Sequence, residues 1–200
     1  MEEKEVQTEV PTHERLYFRY NIGDERKVLS NLYPCEISFK GKKFKSAEHA
    51  YQWAKSLYVG YGTKAQRVKK ARDGFQAKKL GRIAPCPKLD SWYHDELTGA
   101  KPVMFEILIE KYIASEEFRI QMDENLPIGF VPIELTRDLF WGIGTHDMQS
   151  ADQVRYSEAE GENWLGRLMM LALVDIHQLP DRVRQIIKET GCWGIKYGIN

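Results

Sequence analysis

Hydrophobic residues recur at helical spacing along most of the chain. The clearest case follows Ser46, where apolar side chains return every three or four residues, at Ala47, Ala50, Tyr51, Ala54, Leu57 and Tyr58. The Ser46 hydroxyl can cap the first turn, so the pattern predicts a helix that begins there. Similar spacing and helix-ending residues predict further helices at 63–72, at 77–80, from 102 past Tyr112, around Phe118 and Met122, at 163–172 and at 181–190. In this prediction Gly74 ends the second helix and Gly81 the third.

Alternating patterns, typical of strands, are short and few. Ile37 and Phe39 lie on one side of Lys40-Gly41-Lys42 and Phe44 on the other, which predicts a small β-hairpin. Alternation from Leu16 to Tyr20 predicts the start of a strand, and residues 130–135 predict a short strand that Pro132 keeps at a sheet edge. The elements together predict a mainly α, single compact domain with little sheet.

Composition agrees with one globular domain. The chain has 200 residues, of which 42% are hydrophobic and 29% charged. The longest apolar run, residues 168–174, is too short to span a bilayer, and from the acidic start we expect no secretory leader. Cys35, Cys86 and Cys192 are far apart, so we expect no disulfide framework and a reducing compartment, cytoplasmic or nuclear. We expect a flexible acidic tail at 1–14, a domain at 15–175, and a C-terminal helix and tail at 176–200.

A net charge of zero conceals two blocks of opposite sign. Residues 37–82 carry 13 lysines and arginines against two acidic residues, whereas residues 83–162 carry 6 against 16. The basic block either attracts the phosphates of a nucleotide or nucleic acid, or forms solvated helix faces that the acidic block balances in space.

Three polar side chains share one face of the helix after Ser46. Glu48, Gln52 and Lys55 stand at i, i+4 and i+7, so they form a narrow stripe beside the apolar face. The stripe is either a solvated helix edge or the wall of a cleft that presents a carboxylate, an amide and an amine to one substrate.

The segment 136–144 combines an acid, aromatic residues and glycines. Trp141 can stack on a base, Asp138 can contact a ribose hydroxyl or take part in acid–base chemistry, and the amides near Gly142 and Gly144 can hold a phosphate. Trp92 and Trp164 are either core residues or stacking platforms.

Several other chemistries lack their motifs. The five histidines have no metal-binding spacing, and neither GxSxG nor GxxxxGK[ST] occurs. We therefore expect no metal and no cofactor.

The order of the motifs resembles that of the NADAR (YbiA-like) family. The similarity covers about residues 17–173 and rests on these segments in this order: Leu29-Ser30-Asn31-Leu32-Tyr33-Pro34, Ser46-Ala47-Glu48-His49-Ala50-Tyr51-Gln52-Trp53-Ala54-Lys55, Ala77-Lys78-Lys79-Leu80-Gly81-Arg82, Trp92, Lys111-Tyr112, Glu134, Asp138-Leu139-Phe140-Trp141-Gly142-Ile143-Gly144 and Gly161-Glu162-Asn163-Trp164-Leu165-Gly166.

The resemblance implies a YbiA-like orthogonal helical bundle that hydrolyses N-glycosidic bonds. One branch of the family destroys reactive intermediates of riboflavin synthesis, and another removes ADP-ribose from guanine in nucleic acid. A substrate that contains ADP-ribose is therefore the expected partner. A non-catalytic reader of ADP-ribose or nucleic acid, or a helical interaction domain, are the alternatives from other classes.

The family pattern also assigns roles to residues. It implies that Glu48, Lys55, Glu134 and Asp138 are catalytic, with Lys55 either attacking the sugar as an amine or acting by its charge. It implies substrate contacts from ten further residues: Asn31, Tyr33, Gln52, Lys78, Arg82, Trp92, Trp141, Gly142, Gly144 and Asn163.

Overall fold

A computed structural model describes residues 15–21, 25–125, 131–147, 151 and 160–178. In chain order the elements are β1 (Arg15–Phe18), a 3-10 helix (Glu25–Leu29), β2 (Ile37–Phe39), β3 (Lys42–Phe44), α1 (Ala47–Tyr58), α2 (Gly62–Lys69), α3 (Gly74–Leu80), α4 (Pro87–His94), α5 (Ala100–Ala114), α6 (Glu116–Asn125), β4 (Val131–Glu134) and α7 (Trp164–Gln178). The predicted mainly α compact domain is confirmed, and no helix within these ranges is long and apolar enough to cross a membrane.

Helix α1 lies at the centre and contacts α2, α3 and α5. Ser46 caps it as predicted, because its hydroxyl accepts a hydrogen bond from the His49 amide at 3.2 Å. The apolar face of α1 packs into a core with α5 and the first half of α7. Since the core takes up that face, the polar stripe on the same helix lies at the border of the core.

The strands form two small sheets. β2 and β3 pair antiparallel as the predicted hairpin, with Lys40 and Gly41 at positive φ in the turn. β1 pairs in parallel with β4, so that Phe18 lies opposite Glu134. This pairing joins two segments that are distant in the chain, and it places the end of β4 beside the residues that follow β1.

Three features differ from the sequence prediction. The second helix ends at Lys69, and Gly74 begins α3 instead of ending α2, because the Asp73 side chain caps α3 by accepting from the Gln76 amide. Helix α4 was not predicted; it is short and has Pro87 in its first turn. The predicted tail at 1–14, the helix at 181–190 and residue 130 of the predicted strand lie outside the described residues.

Candidate functional site

The polar stripe on α1 faces inward. Glu48, Gln52 and Lys55 are 7%, 5% and 7% exposed, and Gln52 Nε2 donates to Glu48 Oε1 at 2.8 Å. The other Gln52 amide atom, Oε1, is buried without a hydrogen-bond partner among the described residues. Of the two interpretations open from the sequence, this burial rules out the solvated helix edge.

Lys55 is the cationic end of this stripe. Burial lowers the pKa of its amine from 10.5 to about 8; Glu48 opposes the shift by attraction, and the charge of Lys78 adds to it. A lysine that titrates near neutral pH can supply an unprotonated amine at little cost.

Glu134 ends β4, within electrostatic range of the same groups. Desolvation raises the pKa of its carboxyl from 4.5 to about 8; Lys78 opposes the shift, while the charges of Glu48 and Asp138 add to it. Glu134 is only partly exposed, and it is protonated at neutral pH. The four predicted catalytic residues thus form one electrostatically coupled group.

Asp138 organises the loop that carries Trp141. Its Oδ1 accepts from the amides of Phe140 and Trp141, both at 2.9 Å. The Trp141 ring meets Tyr51 of α1 edge-on at 5.3 Å between centroids, which anchors the loop to the helix that carries Glu48. Trp141 is partly exposed.

Two tyrosines beside this loop were missed by the sequence interpretation. Tyr93 and Tyr51 interact through their hydroxyl groups, and burial, first of all, raises the pKa of both. The charges of Asp138 and Glu48 both add to the shift of the Tyr93 pKa, so this tyrosine lies within electrostatic range of both carboxylates. Helical spacing identifies Tyr51 only as an apolar position. No motif around Tyr93 identifies it as a polar residue of the site.

Trp92 lies in the core and presents no face for stacking. It is 1% exposed, its Nε1 donates to the Tyr51 hydroxyl at 2.9 Å, and its ring lies against Tyr58. Of its two roles open from the sequence, the structure favours the core role.

Gly142 and Asn163 are held by the protein's own chain. The Gly142 amide donates to the Asp138 carbonyl, so it is not free to hold a phosphate, and a Cβ there would come within 2.6 Å of the Glu134 carbonyl oxygen. Asn163 is fully buried, where it donates to the Pro132 carbonyl and accepts from the Glu134 amide. Both residues position β4 and are not placed to touch substrate. Gly144 is partly exposed and has a positive φ of 87°.

The remaining predicted contacts are dispersed. Asn31 is buried, and its carbonyl accepts from the Glu48 amide at 2.8 Å, while its side-chain oxygen has no partner among the described residues. Tyr33 lines a separate cavity with Glu117 and Gln121. Arg82 is exposed and accepts a hydrogen bond from Lys64 through its carbonyl.

A cavity of about 330 Å³ opens beside Glu134. Of the predicted site residues, Lys78 and Glu134 line it; its wall also includes residues that the sequence interpretation did not select, namely Arg19, Tyr20, Phe75 and Thr136.

Lys111 supports the site from the core. It is fully buried, and its Nζ donates to the carbonyls of Val28, Leu29 and Ser30 at 2.6, 3.3 and 2.9 Å. This bridge fixes the segment whose next residue, Asn31, holds the Glu48 amide. The sequence interpretation noted Lys111 only as part of the family pattern.

Comparisons with known proteins agree with this architecture. A family model described as NADAR domain matches residues 17–174. A riboflavin biosynthesis protein of Vibrio vulnificus is 27% identical over 165 residues, which are 82% of this chain and 39% of that protein. The N-glycosidase YbiA of Escherichia coli is 26% identical over 151 residues, 76% of this chain and 82% of YbiA. The NMR structure of E. coli YbiA superimposes with a TM-score of 0.62 at 22% identity, covering 85% of this chain and 87% of that one, so the two share a fold.

Proposed function

This chain belongs to the NADAR domain family, and we propose that it is an N-glycosidase that hydrolyses a ribosyl N-glycosidic bond. The observation that carries the proposal is the coupled group of Glu48, Lys55 and Glu134, in which an amine and a carboxyl both titrate near pH 8. Titratable groups whose pKa values are shifted in this way are concentrated at catalytic sites. The similarity to YbiA, which is named an N-glycosidase, supports the same reaction class.

The proposed roles follow from the charge changes in the reaction. Breaking a ribosyl N-glycosidic bond develops positive charge at the anomeric carbon and negative charge on the leaving base. Glu48, which accepts a hydrogen bond from Gln52, stabilises the positive charge. Glu134, protonated at neutral pH, supplies a proton to the base.

Lys55 is the proposed nucleophile. Its neutral amine attacks the anomeric carbon, the carbon–nitrogen bond to the base breaks, and the base leaves with the proton from Glu134. The bond between the anomeric carbon and the ring oxygen then breaks as the lysine nitrogen gives up its two protons, one to the Glu134 carboxylate and one to the ring oxygen, which leaves an imine between Lys55 and the former anomeric carbon. Water adds to this imine and releases the free sugar and the lysine amine.

The first proposed substrate class is ADP-ribose attached to guanine, in a nucleotide or in nucleic acid. The excess of basic residues at 37–82 supports a polyanionic substrate. Trp141, partly exposed on the loop, provides a ring on which the leaving base can stack.

A ribosylaminopyrimidine of riboflavin synthesis is the second candidate substrate. The similarity to the Vibrio vulnificus protein named for riboflavin biosynthesis favours it. This chain spans 39% of the length of that relative, so that protein's other activities do not enter the proposal. Both candidates share the bond to be broken and differ in the leaving base.

A paired assay tests the function. The protein is incubated separately with ADP-ribosylated guanine DNA and with the riboflavin intermediate, and released base and sugar are quantified by chromatography. Release from either substrate supports the N-glycosidase. A folded protein that is inert on both, or one that binds ADP-ribose without releasing base, contradicts it; the second result identifies a reader.

Two variants test the assigned roles. Glu48→Gln is expected to lower kcat by roughly 100-fold or more, because the charge opposite the cationic sugar is lost. Glu36→Gln is the matched control, since Glu36 is exposed and pairs only with Lys43 in the described structure.

Reduction with cyanoborohydride during turnover is expected to attach the sugar to Lys55. Peptide mass spectrometry identifies the modified residue, and Lys55→Met is expected to abolish the adduct.

A further inference from the structure

A second cavity, of about 500 Å³, lies between the 3-10 helix and α6. It shares no lining residue with the cavity beside Glu134. Its volume is in the range of pockets that bind small organic molecules. None of the residues given a catalytic role above lines it, so the proposed reaction makes no use of it.

Gln121 brings an unsatisfied hydrogen-bond acceptor to this cavity. It lies on α6, lines the cavity and is only 6% exposed. Its side-chain Oε1 is buried and has no hydrogen-bond partner among the described residues. A buried carbonyl oxygen without a partner destabilises the folded protein, and a ligand that donates a hydrogen bond would satisfy it. The cavity therefore favours a ligand with a donor group.

Two carboxylates make the wall of the same cavity negative. Glu25 begins the 3-10 helix and Glu117 lies in the first turn of α6, and both line the cavity. Neither forms a salt bridge with another residue in the part of the chain that the structure describes. Lys27 is the single lysine or arginine among the described lining residues, so two negative charges oppose one positive charge. The excess of negative charge favours a donor that is also a cation.

The rest of the wall suits the alkyl chain of such a cation. Val28 is buried and Ile120 is exposed, and both present apolar side chains to the cavity. Tyr33 is partly exposed and lines it as well, and an aromatic ring attracts an ammonium group. Burial, first of all, raises the pKa of Tyr33, and the negative charge of Glu117 adds to the shift, so the phenol and this carboxylate lie within electrostatic range of each other.

We infer that the cavity between the 3-10 helix and α6 binds an aliphatic amine, whose ammonium group donates to Gln121 and is attracted by Glu25 and Glu117. The alkyl chain lies against Val28 and Ile120. An alcohol of the same length also donates a hydrogen bond, but it carries no charge for the carboxylates to attract. The inference is independent of the proposed function, because binding at this cavity requires no cleavage of a glycosidic bond.

An NMR titration of the isotope-labelled protein with n-butylammonium chloride and with 1-butanol tests the site. The ammonium is expected to bind about tenfold more tightly than the alcohol and to shift the amide signals of the 3-10 helix and α6. Glu117→Gln and Gln121→Met are each expected to weaken the binding of n-butylammonium about fivefold. Glu116→Gln, which changes an exposed neighbour on α6 outside the cavity, is the matched control and is expected to keep the affinity.

Equal affinity for the two probes, or an affinity for n-butylammonium that Glu117→Gln and Gln121→Met both leave unchanged, would overturn the site. Shifts confined to other helices would do the same. Circular dichroism checks the fold of each variant, and if Gln121→Met does not fold, Glu117→Gln decides. Nα-acetyl-lysine amide distinguishes the two sources of an aliphatic ammonium. Tighter binding of this probe than of n-butylammonium supports a lysine side chain of a partner protein as the occupant, and weaker binding supports a free amine.

Discussion

Two side chains at the site lose hydration when the chain folds, and the rest of the fold compensates for the free energy that this costs. Lys55 gives up hydration to lie on the inward face of α1, and Glu134 does so at the end of β4. Each group would be better solvated elsewhere, so their positions are not explained by stability. Such a cost is expected where the chemistry requires an amine and a carboxyl that exchange protons near neutral pH.

The activity is expected to have a bell-shaped pH profile with a maximum near pH 8. Activity rises with pH as the Lys55 ammonium, with a pKa of about 8, loses its proton and becomes nucleophilic. Activity falls at higher pH as Glu134, also with a pKa of about 8, loses the proton it donates. Both groups also interact with Glu48, Lys78 and Asp138, so the two limbs report the titration of the whole group. The measurement is kcat/KM between pH 5.5 and 10 for the wild type and Glu134→Gln, which should lack the alkaline limb. A flat profile in the wild type argues against both roles.

Lys55→Met is expected to stabilise the fold while it removes activity. The folded pKa lies below the ordinary 10.5, so the folded state binds the proton less well than the unfolded chain. The resulting destabilisation is present in full below about pH 8 and disappears as pH rises to 10.5. At pH 7 the methionine should therefore raise the free energy of unfolding by about 1–3 kcal/mol. Urea denaturation measures the change, with the exposed Lys79→Met as control. An equal or lower free energy of unfolding in Lys55→Met would show that the burial of Lys55 does not destabilise the fold.

Elements meet at the site through close backbone contacts. The loop after β4 folds back on the strand, since the Ile143 amide donates to the Glu134 carbonyl and the Gly142 amide to the Asp138 carbonyl. The first turn of α7 packs on the same strand, with Gly166 against Pro132. Glycines at these points let two segments approach β4, and Asp138 comes within electrostatic range of Glu134.

Gly142→Ala is expected to destabilise the protein by about 1–3 kcal/mol and to lower activity. The added methyl group would lie 2.2 Å from Thr136 Cγ2 and 2.6 Å from the Glu134 carbonyl oxygen, so the loop must move away from β4. Gly62→Ala in the first turn of α2 is the matched control, because a methyl group there meets nothing within 4 Å. Thermal unfolding of both variants measures the difference. Equal melting temperatures would show that the loop adapts without loss.

At the scale of the whole molecule, Lys111 joins the central helices to the N-terminal part of the chain. Its Nζ lies in the core of the protein and donates to three successive carbonyls at the end of the 3-10 helix, with the centre of the Phe118 ring at 4.3 Å. Burial lowers the pKa of this amine to about 7, whereas the three acceptors satisfy its protons.

Lys111→Met is expected to lower the free energy of unfolding by about 2–4 kcal/mol, in contrast to Lys55→Met. The substitution leaves three buried carbonyls without a donor, and their desolvation is no longer compensated. It should also lower activity, because the Asn31 carbonyl that holds the Glu48 amide follows directly in the chain. Urea denaturation at pH 7 is the measurement, with the exposed Lys88→Met as control. A variant as stable as the wild type would contradict the bridging role.

The sequence by itself determined the local elements and the reaction class it resembles. The spacing of the apolar residues and the Ser46 cap predicted α1, and the alternation around Gly41 predicted the hairpin. Both features could be predicted because they depend on contacts between residues close in the chain. The same periodicity placed Glu48, Gln52 and Lys55 on one face. It failed at Gly74, where a glycine that can end one helix instead begins the next behind the cap of Asp73.

Only the tertiary structure decided which of these residues face one another and how they titrate. The parallel pairing of β1 with β4 brings Arg19 and Glu134 to one cavity, and no local pattern encodes a pairing between such distant segments. Burial placed Trp92 in the core and left Trp141 partly exposed, although both are tryptophans in the family pattern. The pKa values of Lys55 and Glu134 depend on desolvation by every neighbouring atom and on charges from four elements, which exist as an environment only once the chain has folded.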